Sequence, residues 1–237
     1  MNKKCLALLS LALTLATNAL PAAYPHQTTS QDESVTKIHV AAAQGNFLYL
    51  RSNLTYDNVN LPDGTGATPL FYAVENGHIG CAARLITDGA DVHVRNKGEA
   101  TPLHYAVFGI SPMCFMLLIE QGADVNAVDK YKCTPLHILT SLETSNESAE
   151  ERQQELECIK ILLAKGADIK LKTVYNKTAL DLAKESKRDD MVALLKEHVR
   201  KKIAKLQQKI TQIEQAEKAK EQEKKQIARE VTAYDKL

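Results

Sequence analysis

Thr-Pro-Leu occurs three times at a fixed interval of 33 residues, at Thr68-Pro69-Leu70, Thr101-Pro102-Leu103 and Thr134-Pro135-Leu136. Self-similarity at a period of this length is the mark of a stacked repeat. Each Thr-Pro-Leu is followed by apolar residues at helical spacing and then by a phrase ending in Gly-Ala-Asp: LITDGADV (85–92), LIEQGADV (118–125) and LLAKGADI (162–169). A threonine hydroxyl suits the start of a helix, and proline at the first helical position has no N–H to leave unsatisfied there. Gly89, Gly122 and Gly166 stand just after a Leu/Ile-rich helix, where a left-handed residue ends it. Each unit therefore reads as turn, helix, tight junction, helix, glycine stop and finger. One such unit cannot bury its apolar face alone, so the units must stack.

Two flanking units are degenerate. IHVAAAQGNFLYL (38–50) with NVNLPD (58–63) follows the pattern without the Thr-Pro start, and TALDLAKE (178–185) has Ala179 and Asp181 in place of proline and histidine. From Gly122 to Gly166 the chain is longer than one period. The extra residues, around SLETSNESAEERQQ (141–154), are polar and lack glycine and proline. Ser148 and Glu151 form an S-x-x-E capping box, which predicts a lengthened second helix from near Ala149 to Ala164.

The segments TPLFYAVENGHIG, TPLHYAVFG and TPLHILT resemble the ankyrin repeat, over roughly residues 35–198. The resemblance implies an all-α solenoid of five helix-turn-helix repeats, at about 35–63, 64–96, 97–129, 130–172 with the insertion at 141–154, and 173–198. It also implies that His104, His137 and His78 are structural hydrogen-bonding residues, and that a protein partner binds the concave face made of finger tips and first helices. Aligning on Thr68, Thr101, Thr134 and Thr178 places Lys97, Lys130, Tyr131, Val174 and Tyr175 at finger tips, with Phe108 and Leu142 near the ends of their first helices. Tyr131 and Tyr175 share one repeat position, and tyrosine is a favoured interface anchor.

Outside the repeats the chain has two distinct ends. MNKKCLALLSLALTLATNALPAA (1–23) has a basic start, an apolar run from Cys5 to Ala16 and small residues after it. That order reads as a secretory signal peptide, and the run is shorter than the ~20 residues that span a bilayer. Residues 24–34 read as a flexible linker. No later stretch approaches transmembrane length. From 199 to 237 the chain is charged and free of glycine and proline, and one uninterrupted helix reads from about Asp189 to the C-terminus. Val199, Ile203, Leu206, Ile210 and Ile213 form a heptad seam that breaks at Glu217, Lys220 and Lys224 and resumes at Ile227, Val231 and Tyr234. The tail reads as a solvated helix whose first turns cover the last repeat, or as a seam for coiled-coil self-association or a partner helix. The cluster Arg200, Lys201, Lys202, Lys205 and Lys209 permits contact with anionic lipid, but no aromatic residues interleave it for stacking on bases, so no nucleic acid is expected.

An exported chain with four cysteines beyond residue 23 invites disulfides. Cys81, Cys114 and Cys158 occupy equivalent repeat positions, however, and neighbouring repeats lie about one helix diameter, ~10 Å, apart. A disulfide needs Cα atoms within ~7 Å, so these three are expected as buried thiols and Cys133, beside a finger, as an exposed and reactive one. The sequence has no C-x-x-C, H-E-x-x-H, G-x-x-x-x-G-K or G-x-S-x-G motif. The expectation is an exported, periplasmic or secreted protein-binding module, an envelope protein or a secreted effector, without cofactor, metal or catalytic site. The alternative is an accessory or chaperone subunit of an exported enzyme.

Overall fold

The computed structural model describes residues 30–142 and 148–234, with side chains from 37 to 142 and from 148 to 225. The segment read as a signal peptide lies outside the described residues. Among those described there are ten helices and no strands, and the helices fall into five pairs. The first helices are α1 (Ser30–Ala43), α3 (Pro69–Glu75), α5 (Pro102–Gly109), α7 (Pro135–Ser141) and α9 (Ala179–Glu185). Their partners are α2 (Phe47–Asn53), α4 (Ile79–Thr87), α6 (Pro112–Glu120), α8 (Ala149–Ala164) and α10 (Asp189–Tyr234). Helix α1 starts at Ser30, so it takes in residues 30–34 of the stretch read as linker.

The central pairs form because α3, α5 and α7 offer the same leucine to their neighbours. Leu70, Leu103 and Leu136 are all buried, as are Leu85, Leu118 and Leu162 from the second helices. Gly89, Gly122 and Gly166 take φ values of 98°, 90° and 94°, the left-handed conformation that stops each second helix at little steric cost. In the fourth repeat Ser148 caps α8 reciprocally with Glu151, so the helix covers the expected range. Its residues 149–155 have no counterpart in α6. Among them Glu155, fully buried, receives Arg188 Nη2 at 2.6 Å, and Arg188 Nε lies 3.5 Å from Asp190. A buried pair of this kind is costly to break from one side, because the remaining charge stays desolvated.

Cys81, Cys114, Cys133 and Cys158 are thiols and all are buried. Burial raises the thiol pKa of Cys81 and Cys114 and pushes Cys158 up to about 12, which removes thiolate character. The expectation of an exposed Cys133 is wrong. The residue lies on the returning leg of its finger, where Ala67 and Ala100 stand in the preceding repeats, and that leg packs inward.

The chain divides into two compact units that meet between Met191 and Val192. Helix α10 begins in the first and runs unbroken through residue 199, where the sequence suggested a boundary. Its 46 residues extend ~70 Å, and all side chains from 200 to 225 are exposed. No helix of the described residues is long and apolar enough to cross a membrane.

Candidate protein-binding surface

Each finger is a tight loop held by one residue at its base. Asp63 Oδ1 accepts the N–H groups of Thr65 and Ala67, Asn96 Oδ1 those of Gly98 and Ala100, and Asp129 Oδ1 those of Tyr131 and Cys133. Thr173 does the same for Tyr175 and Lys177 through its hydroxyl. One residue per finger has positive φ: Gly66, Glu99, Lys132 and Asn176 in turn. Adjacent tips are joined by backbone bonds, from Lys97 N–H to Thr65 C=O (2.9 Å), Lys130 N–H to Gly98 C=O (3.0 Å) and Val174 N–H to Tyr131 C=O (2.9 Å). The tips therefore form one continuous ladder, which brings together five of the seven residues singled out from the sequence. Val174 and Tyr175 are 49% and 44% exposed, Tyr131 is half-buried and Lys130 Nζ lies 5.0 Å over its ring. Lys97 Nζ reaches back to Gly64 C=O at 2.6 Å.

The other two, Phe108 and Leu142, are half-buried at the ends of α5 and α7. Phe108 meets Tyr105 edge to face at 6.3 Å. Tyr105 and its counterpart Tyr72 were not singled out, yet they tie helix to finger. Tyr72 donates to Asp63 Oδ2 at 2.5 Å, and Asn96 donates to the Tyr105 hydroxyl at 2.9 Å. Burial raises Asp63's pKa, but the hydrogen bonds from Tyr72, Thr65 and Ala67 outweigh it and hold the carboxyl below its usual value. A tyrosine four residues after the Thr-Pro starts at Thr68 and Thr101 was visible in the sequence, with Ile138 in its place after Thr134.

Beneath this surface the repeats are latched. His104 Nδ1 accepts from the Thr101 N–H (3.1 Å) and lies 2.9 Å from its hydroxyl. With Nδ1 accepting, the proton belongs on Nε2, which donates to Cys133 C=O in the next repeat at 3.0 Å. His137 repeats the arrangement with Thr134 and Leu171, and His39 Nε2 contacts Ala67 C=O. Burial lowers the pKa of His104 to about 4 and that of His137 in the same direction, so both rings are neutral at physiological pH. His78 contacts Ala43 C=O of the preceding repeat at 3.0 Å. A family model described as ankyrin repeats (3 copies) matches residues 12–96 and 38–129, which take in the first three of the five helix pairs.

The chain belongs to the ankyrin-repeat family. No curated protein matches it. Ankyrin repeats are protein–protein interaction modules and typically non-catalytic. Read as an ankyrin stack, the structure is irregular at the junction between the second and third repeats. The second repeat carries Phe71 where its neighbours carry the latching histidine, and Thr68 Oγ1 is left buried without a hydrogen-bond partner. The same repeat has His93 where Asn60 and Asn126 bridge to the next glycine stop through Gly89 and Gly166. Among the described residues no group of three His, Cys, Asp or Glu side chains could hold a metal ion.

Proposed function

We propose that the chain is an exported module that binds a protein partner across its finger tips and the exposed faces of its first helices. The single observation that carries this reading is the tip ladder. Its backbone is fixed by hydrogen bonds, while Val174 and Tyr175 stand open on it with no core duty. A rigid row bearing aromatic anchors is what a specific interface needs, because little side-chain entropy is lost on binding. Export rests on the amino-terminal order of basic, apolar and small residues. We propose no catalytic role. A role as accessory subunit of an exported enzyme would appear as loss of that enzyme's activity when this chain is deleted.

Substituting Tyr131→Ala together with Tyr175→Ala tests the reading. Melting temperature should shift by only a few degrees while the partner's affinity falls by at least ~2 kcal/mol. A variant with Lys201, Lys202 and Lys205 all changed to Glu should bind normally. Binding lost in the lysine variant and kept in the tyrosine variant would contradict it.

The stripe Ile203, Leu206, Ile210 and Ile213, each 49–59% exposed on α10, favours a second reading in which the helix pairs with a second copy. Sedimentation equilibrium of the intact chain and of an Ile210→Glu, Ile213→Glu variant tests it. A concentration-dependent dimer lost in the variant supports pairing, and a monomer throughout contradicts it.

A further inference from the structure

At the second-to-third repeat junction, Glu75 ends α3 one turn after Tyr72, and Phe108 stands at the equivalent place in α5 one turn after Tyr105. The two helix ends touch backbone to backbone. A Cβ built on Gly109 would lie 2.3 Å from the Val74 carbonyl oxygen and 3.0 Å from that of Glu75, so only glycine permits this approach. Glu75 lies near enough to Tyr72 and Tyr105 to act electrostatically on both phenols, Phe108 packs against Tyr105, and all four side chains are half-buried. The tyrosine hydroxyls are engaged elsewhere, with Asp63 and Asn96. Tyr105 is fixed further by Phe71, edge to face at 5.0 Å. Among the described residues no hydrogen bond or ion pair reaches the Glu75 carboxyl, and burial raises its pKa to about 7.

A carboxyl partly withdrawn from water, with nothing to pair it and two tyrosine rings near it, costs the fold stability. Such a cost is kept where function uses the group. Carboxylate and aromatic faces together have one complementary side chain: a guanidinium, which is planar, permanently charged and able to stack on rings while hydrogen-bonding a carboxylate in bidentate fashion. We infer that the notch formed by Glu75, Tyr72, Tyr105 and Phe108 receives an arginine side chain of the protein partner. The inference rests on the proposed binding face and names the chemistry of its partner.

The test uses the full-length chain and N-acetyl-arginine amide, followed by NMR through the Glu75 carboxyl carbon and the ring signals of Tyr72 and Tyr105. The citrulline analogue, nearly the same in shape but uncharged, is the control. A saturable shift of these signals is expected with the arginine compound and at least a tenfold weaker response with citrulline. Glu75→Gln should lose the response to arginine while melting at or above the temperature of the unsubstituted chain, since it removes a costly buried charge. No saturable shift with arginine, an equal response to citrulline, or full retention in Glu75→Gln overturns the inference. Failure here leaves the finger-tip reading standing, because that reading is tested with the partner through Tyr131 and Tyr175. Failure of the tyrosine test alone would leave an arginine notch on a face that binds otherwise.

Discussion

The junction between the second and third repeats and the junction between the third and fourth are built from the same backbone and held by different means. At the third-to-fourth junction His104 joins Thr101 to Cys133 C=O, and Asn126 holds Gly166 C=O at 3.2 Å and Asp168 N–H at 2.7 Å. At the second-to-third junction Phe71 and His93 replace both latching side chains. The junction instead has Phe71 against Tyr105, the two bonds from Lys97 to Thr65 C=O and Gly64 C=O, and the backbone approach at Gly109. In a solenoid each interface contributes separately to stability, so a junction can give up polar latches if its packing is close. The departures from the repeat pattern fall where the aromatic notch and the unpaired Glu75 lie. That coincidence separates what the stack requires from what it carries.

The largest test of this contrast is Gly109→Ala. In an ordinary helix interior that change stabilises by ~0.5–1 kcal/mol. Here the added Cβ would meet backbone at 2.3 Å, and chemical denaturation should give a loss of about 3 kcal/mol or more. A gain would mean that the close approach is not real. Next in size is His104→Phe, which makes the third-to-fourth junction like its neighbour. It removes the ring that Thr101 hydrogen-bonds and one of the donors to Cys133 C=O, which keeps the Asp129 N–H, and should cost roughly 1–3 kcal/mol.

Acidity sharpens the same comparison. His104 has a pKa of about 4 in the folded chain against about 6.5 unfolded, so the unfolded state takes up its proton first as pH falls. Its contribution is complete above about 6.5 and is lost between there and about 4, by up to roughly 3 kcal/mol. His104→Phe should flatten that part of the stability profile in denaturation curves collected at several pH values. Smaller again is Phe71→His, which offers Thr68 Oγ1 a partner and should stabilise by ~0.5–1.5 kcal/mol, less the lost contact with Tyr105. Smallest is truncation after Val199. The repeat unit buries its own core, so the truncated chain should keep its melting transition within a few degrees, and protease sensitivity throughout the shortened chain would contradict that.

Much of the fold was legible because it is written in local chemistry. The Thr-Pro starts, the glycine stops and the Ser148–Glu151 box each act within one turn, and the helices begin and end where they dictate. The finger-tip positions of Lys97, Lys130, Tyr131, Val174 and Tyr175 followed from register alone. Nearness to a tip in sequence does not make Cys133 exposed, because the residues before Thr68 and Thr101 are small alanines that pack inward and Cys133 stands in their place. Glu75 was not legible at all. Its type and place can be read from the chain, but lack of a partner arises only once α3 and α5 meet. The unpartnered Thr68 hydroxyl lies between these cases, since Phe71 in TPLF announces that a histidine is missing.

The proposed binding face is tested most directly by photo-crosslinking from defined positions. A benzoylphenylalanine at position 175 on the tip ladder or at 105 on α5 should yield one discrete covalent adduct with the partner in the compartment where the chain resides. The same residue at Leu48 on α2 or Met113 on α6, which are 71% and 64% exposed on second helices, should yield none. Adducts from 48 and 113 with none from 105 and 175 would place the partner on the opposite side of the stack and contradict the account.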